Sequence, residues 1–104
     1  TLVIWAGEFG RTPYVQGEVD SPKYGRDHHG RAFTVWMAGA GVPGGQTYGK
    51  TDEFAEYPIE KVMGPENIAH TVYHAMGIDD LTATDVTGRP FNILEKGRPL
   101  TELF

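Results

Sequence analysis

Two uninterrupted apolar runs constrain this chain more than anything else in it. Leu2-Val3-Ile4-Trp5 follows Thr1 without a charge or a turn former, and Ala32-Phe33-Thr34-Val35-Trp36-Met37-Ala38 has the same character after a long polar interval. A strand with one wet face alternates apolar and polar residues. A run without alternation suits a strand covered on both faces, as in the parallel sheets of α/β proteins. Parallel neighbours also need a long crossover between them, and Ala6 to Arg31 has the length for one. The expectation is an α/β chain, with Leu2–Trp5 and Phe33–Met37 as neighbouring parallel strands of a partial, mostly parallel sheet carrying packing helices. Natural chains seldom start inside such a strand, so residues 1–104 read as a single domain forming the C-terminal portion of a larger one. Apolar edges left open in this way favour association, and a homo-oligomer is expected.

The remaining elements follow from punctuation. Gly39-Ala40-Gly41-Val42-Pro43-Gly44-Gly45 ends the second run as a turn, Gln46–Gly49 reads as a short extended piece, and Thr51–Glu60 as an acidic surface loop. A helix is predicted over Pro65–Met76. Pro65 suits its first position, Glu66 the positive end of its dipole, and Gly77 its C-terminal cap. Ile68, Ala69, Val72, Ala75 and Met76 form its apolar stripe. Beyond it, Asp79–Thr87 is polar, and Arg89–Leu94 followed by Arg98–Leu100 suggests a terminal hairpin.

Composition narrows the function. Acids exceed bases, leaving a formal charge of −5, so the chain lacks the basic surface of a phosphate-backbone binder and no nucleic acid partner is expected. With no cysteine, a bound metal would have to be held by His, Asp and Glu, and the redox compartment stays open. No apolar run has the roughly 20 residues that span a bilayer.

Chemistry concentrates after the first strand. Ala6-Gly7-Glu8-Phe9-Gly10-Arg11 stands where α/β enzymes place reactive groups. There Glu8 is a candidate cation ligand and Arg11 a clamp for an oxyanion; the two read equally well as an exposed ion pair. Tyr24-Gly25-Arg26-Asp27-His28-His29-Gly30-Arg31 sets an acid and two imidazoles between arginines and glycines. Adjacent histidines point apart, so one of His28 and His29 is the candidate ligand and the other orients substrate or is exposed. Asp27 is a second ligand or fixes a histidine tautomer. Arg26 and Arg31 favour an anionic substrate or are simply solvated. His70 and His74 have the one-turn spacing of a zinc-binding helix. They lie opposite the apolar stripe and lack the intervening Glu, which favours a solvent-facing or supporting role.

Taken in order, TLVIWAGEFGRTP, GRDHHGRAFTVWMAGAGVPGG, NIAHTVYHAMGID and GRPFNILEKGRPLTELF resemble the C-terminal portion of a bacterial family of unknown function, sulfatase-like, within the alkaline phosphatase superfamily. The resemblance implies a metal-dependent sulfatase-like or phosphatase-like ester hydrolase whose nucleophile segment lies upstream. It places Glu8 at the Asp of the superfamily's strand-end Asp-His-Gly motif, Gly10 at its Gly, and His28, preceded by Asp27, at the later histidine ligand. Phe9 stands where that motif has its His, which removes a nitrogen ligand. On this basis Glu8, Asp27 and His28 are the candidate metal residues, for Zn, Mn, Ca or Mg. Arg11 and His29 are candidate catalytic residues, and Arg11 and Arg26 would bind an anionic ester, sulfated or phosphorylated. Phe9 also motivates the alternative of a catalytically inactive relative that binds an anionic glycan or a protein partner.

Overall fold

The computed structural model describes residues 1–104. Its strands are β1 (Leu2–Trp5), β2 (Gly10–Arg11), β3 (His28–His29), β4 (Trp36–Gly39), β5 (Lys50–Thr51), β6 (Pro58–Glu60), β7 (Thr82–Thr84) and β8 (Pro90–Asn92). A single α-helix, α1, spans Pro65–Ala75, and a 3₁₀ turn covers Thr101–Leu103. The strands pair as four two-stranded sheets, β1 with β4, β2 with β3, β5 with β6 and β7 with β8. No helix is long and apolar enough to cross a membrane.

This overturns the expected α/β architecture. β2–β3, β5–β6 and β7–β8 are antiparallel, and no helix falls between β1 and β4 to form a crossover unit. The physical reason is local. Short Gly-, Pro- and Asp-containing connections close β5–β6 and β7–β8 as hairpins without the dozen or more residues a parallel crossover requires, and the longer connection from Thr12 to Asp27 folds back on itself through antiparallel backbone bonds. The two apolar runs are neighbours, as expected, although the second strand starts at Trp36 and not at Phe33. They are not covered on both faces. Exposure alternates along β1, with Val3 and Trp5 exposed and Leu2 and Ile4 half-buried, and Trp36 on β4 is also exposed.

The chain divides into two compact units, one formed by Thr1–Leu2, Gly39–Gly44 and Met63–Phe104, the other by Val3–Ala38 and Gly45–Val62. In the first, α1 ends as its sequence dictates. Gly77, at φ +78°, lets the Gly77 and Ile78 amides reach back to the carbonyls of His74 and Tyr73, at 2.9 Å each. Asn67 closes the opposite end by accepting the Gly64 amide at 2.9 Å. The one fully buried side chain of α1 is polar. Thr71 is fully buried; its hydroxyl donates to the Asn67 carbonyl at 2.6 Å and accepts the amide of Leu100 at 2.9 Å. Along the same face Asn67 donates to the Arg98 carbonyl at 3.1 Å and His70 Nε2 to the Lys96 carbonyl at 2.8 Å. Of the expected stripe, Ile68, Ala69, Val72 and Ala75 are half-buried and Met76 is exposed. Leu100 is the sole fully buried apolar residue of the chain.

The hairpin of this unit differs from the expected one. Thr82–Thr84 pairs with Pro90–Asn92, so the polar stretch Asp79–Thr87 supplies a strand. Asp85 makes the turn by accepting the Thr87 amide at 2.8 Å, the Thr87 hydroxyl at 2.6 Å and the Arg89 amide at 3.0 Å. The Thr87 hydroxyl, then the Arg89 and Thr87 amides, hold the Asp85 carboxyl down to about 2.

In the second unit the long connection after β1 is itself a hairpin. Gly10 pairs with His29 and Arg11 with His28, the Thr12 amide donates to the Asp27 carbonyl at 2.9 Å, and Gln16 and Gly25 exchange backbone bonds beyond. Thr12 is buried, its hydroxyl donating to the Tyr14 carbonyl at 2.8 Å and accepting the Asp27 amide at 3.2 Å. Gly10 is required: a β-carbon there would overlap the carbonyl oxygen of Ala32 and lie 3.1 Å from that of His29. The expected acidic loop Thr51–Glu60 is a second hairpin, β5–β6, with Gln46–Gly49 outside any strand.

Candidate metal centre

The β2–β3 ribbon decides which side chains meet. Arg11 and His28 are directly opposed, and opposed residues share a face of the ribbon. Glu8, two residues before β2, turns its Oε1 to within 3.6 Å of His28 Nε2. The expected convergence of Glu8 and His28 is therefore present. That separation is longer than a good charge-assisted hydrogen bond of about 2.7–2.9 Å. It matches the spacing of two donors on one ion, since ligands about 2.0–2.4 Å from a metal stand about 3–4 Å from each other. Both side chains keep much of their surface open, 52% for His28 and 71% for Glu8.

Phe9 flanks the pair. Its ring centroid is 5.5 Å from that of His28, inclined by 32°, and a side chain at Gly30 would press on Phe9, whose edge would lie 3.1 Å from the added carbon. Phe9 thus forms one side of the surroundings of His28.

The other candidates are placed differently. Asp27 does not join the pair: Oδ1 accepts the amide of His28 at 2.8 Å and Oδ2 accepts from Gln16 Nε2 at 3.2 Å, which commits the carboxylate to the loop. No group of three or more His, Asp or Glu side chains suited to a metal ion is present. His29 lies on the opposite face of β3, as alternation along a strand requires, and its Nε2 donates to the Glu56 carbonyl at 2.8 Å. Arg11 extends along the hairpin, Nη1 standing 3.4 Å from the Arg26 carbonyl. That long contact leaves its charge available. Arg26 enters the arrangement through this backbone oxygen. Arg31 is held by Tyr57, with Nη1 donating to the phenol oxygen at 2.7 Å and its guanidinium carbon 5.1 Å from the ring centre.

His70 and His74 form no metal pair. His70 is bonded to Lys96 as described, while His74 Nδ1 stands 2.6 Å from Asp79 Oδ1 and its ring meets Phe104 edge-on at 5.5 Å.

A concavity of the second unit, open to solvent, is lined by Pro13, Tyr14, Glu53, Phe54 and Glu56. It includes none of Glu8, Arg11 and His28. Sequence reading passed over it because its aromatic and acidic residues sit in a segment that looks like an ordinary acidic loop. The signal available was Glu53-Phe54-Ala55-Glu56-Tyr57, in which aromatic rings alternate with carboxylates.

The whole chain, residues 1–104, matches the family described as Protein of unknown function (DUF1501), and it belongs to that family. No match was found among curated proteins or among solved structures.

Proposed function

We propose that Glu8 and His28 are two ligands of a divalent cation in a metal-dependent hydrolase of anionic esters, sulfated or phosphorylated. The observation that carries this reading is the 3.6 Å approach of Glu8 Oε1 to His28 Nε2, with Arg11 the cross-strand neighbour of His28. One oxygen and one nitrogen donor suit Zn or Mn, and oxygen donors added from elsewhere would bring Mg and Ca into range. When bound, such an ion polarises the ester oxygen and favours ionisation of a nucleophile.

The chain's own residues have separate tasks. Glu8 and His28 hold the cation, His28 acting through neutral Nε2. Arg11, on the same face, neutralises negative charge on the transferring group. Phe9 limits how far the His28 ring can turn. Asp27 fixes the backbone next to His28 by accepting its amide. His29 anchors the Glu56 turn from the other face and takes no part at the pair. Thr12, the hydroxyl nearest in sequence, is buried and bonded on both sides, so the nucleophile is drawn from outside this cluster.

The test is release of sulfate or phosphate from aryl esters by the protein, with and without added Mn²⁺ after chelation. Metal-dependent turnover that falls about 100-fold or more in both Glu8→Gln and His28→Asn supports the proposal. Turnover unchanged in both variants contradicts it. Metal binding without hydrolysis of either ester class would favour the second reading, a binding relative without catalysis.

A further inference from the structure

The concavity beside the hairpin has a composition of its own. Its space is about 610 Å³, within the roughly 300–1,000 Å³ of small-molecule sites. Two of its five lining residues are aromatic and two are acidic, and none is basic. Tyr14 and Phe54 are 60% and 65% exposed, so core packing does not account for these rings. Neither Glu53 nor Glu56 forms an ion pair with a base.

The wall carrying Glu53, Phe54 and Glu56 is fixed to its surroundings. Asp52 Oδ1 accepts the Glu56 amide at 2.9 Å, the Asp52 amide donates to the Tyr57 carbonyl at 2.9 Å, and His29 Nε2 donates to the Glu56 carbonyl at 2.8 Å. Arg31 ties the same turn through the Tyr57 phenol. On the facing side, Pro13 and Tyr14 follow Thr12, which is buried and bonded to the Tyr14 carbonyl. The backbone that carries these side chains is held at several points, which lowers the ordering cost of binding.

We infer that this recess binds a small organic cation bearing an alkylated ammonium group. Aromatic faces attract such a cation through their negative π-surface, and methyl groups on nitrogen fit apolar walls that a strongly hydrated inorganic ion would not enter. The two carboxylates supply the complementary charge, and the absence of a lining base removes repulsion. The inference is independent of the Glu8–His28 site, since the two share no residue.

The experiment is titration of the protein with choline chloride, followed by amide and aromatic NMR shifts. Its neutral isostere 3,3-dimethyl-1-butanol serves as a parallel probe, and sodium chloride matches ionic strength. Saturable shifts confined to Tyr14 and Glu53–Tyr57 with choline, and none with the isostere, are expected. Phe54→Leu should weaken binding about tenfold and the double variant Glu53→Gln with Glu56→Gln by a similar factor. Both changes affect exposed or half-buried positions, and an unaltered amide spectrum elsewhere verifies the fold. Glu8→Gln should leave choline binding unchanged. Equal binding of the neutral isostere, no saturable shift with choline, or saturation by an oligolysine peptide alone would each overturn the inference.

Discussion

The hydroxyl oxygen of Thr71 accepts the amide of Leu100 at 2.9 Å, and these are the most deeply buried residue of α1 and the only fully buried apolar residue of the chain. One hydroxyl therefore joins the helix to the segment after β8. Thr71→Val preserves shape and leaves the Leu100 amide without a partner, and should cost about 1–3 kcal/mol in urea unfolding. Thr71→Ser keeps the acceptor and loses one methyl group, costing about 1 kcal/mol. Valine as stable as serine would show that packing, and not this bond, holds the segment.

Gly10 and Gly25 make a matched pair on one hairpin. An added β-carbon at Gly10 collides with the Ala32 carbonyl, whereas at Gly25 it meets nothing within 4 Å. Gly10→Ala should destabilise by about 1–3 kcal/mol or more through overpacking against backbone, and should weaken the Arg11–His28 pairing. Gly25→Ala should be neutral or stabilising by up to about 1 kcal/mol. Denaturant midpoints of the two variants decide it, and equal effects would contradict the close approach.

These two residues also show what sequence could and could not reveal. The helix was legible almost to the residue because Pro65 and Gly77 punctuate it, and the meeting of Glu8 with His28 was legible from glycine-flanked polar residues together with the family resemblance. The sheets were not. β2 and β3 are two residues long, too short for any periodicity, and their pairing depends on a glycine fitting under a carbonyl from Ala32. Polar side chains that bond backbone carbonyls and amides look the same in sequence as polar side chains in water, so the burial of Thr71 was not legible.

Asp85 gives the β7–β8 turn an acid sensitivity with a definite direction. Its folded pKa, about 2, lies below the ordinary 3.8, so its stabilising effect is full above about pH 4 and is lost as pH falls through the folded value. Amide shifts of Thr87 and Arg89 should stay constant from neutrality to about pH 4 and then move with a midpoint near 2. In Asp85→Asn that titration should vanish while the turn persists, because the amide oxygen still accepts. A midpoint at the ordinary carboxylate value would refute the three-donor arrangement.

The central claim is that Glu8 and His28 hold one cation together. Mn²⁺ titration followed by electron paramagnetic resonance, with NMR line broadening to locate the ion, measures this directly on the protein. The account predicts saturable binding with broadening centred on Glu8, Arg11 and His28, weakened about 10- to 100-fold by either Glu8→Gln or His28→Asn, and untouched by His70→Asn. Binding that is equally strong in both variants, or broadening centred on the acidic residues Asp52–Glu56 with the Glu8–His28 signals intact, would contradict it.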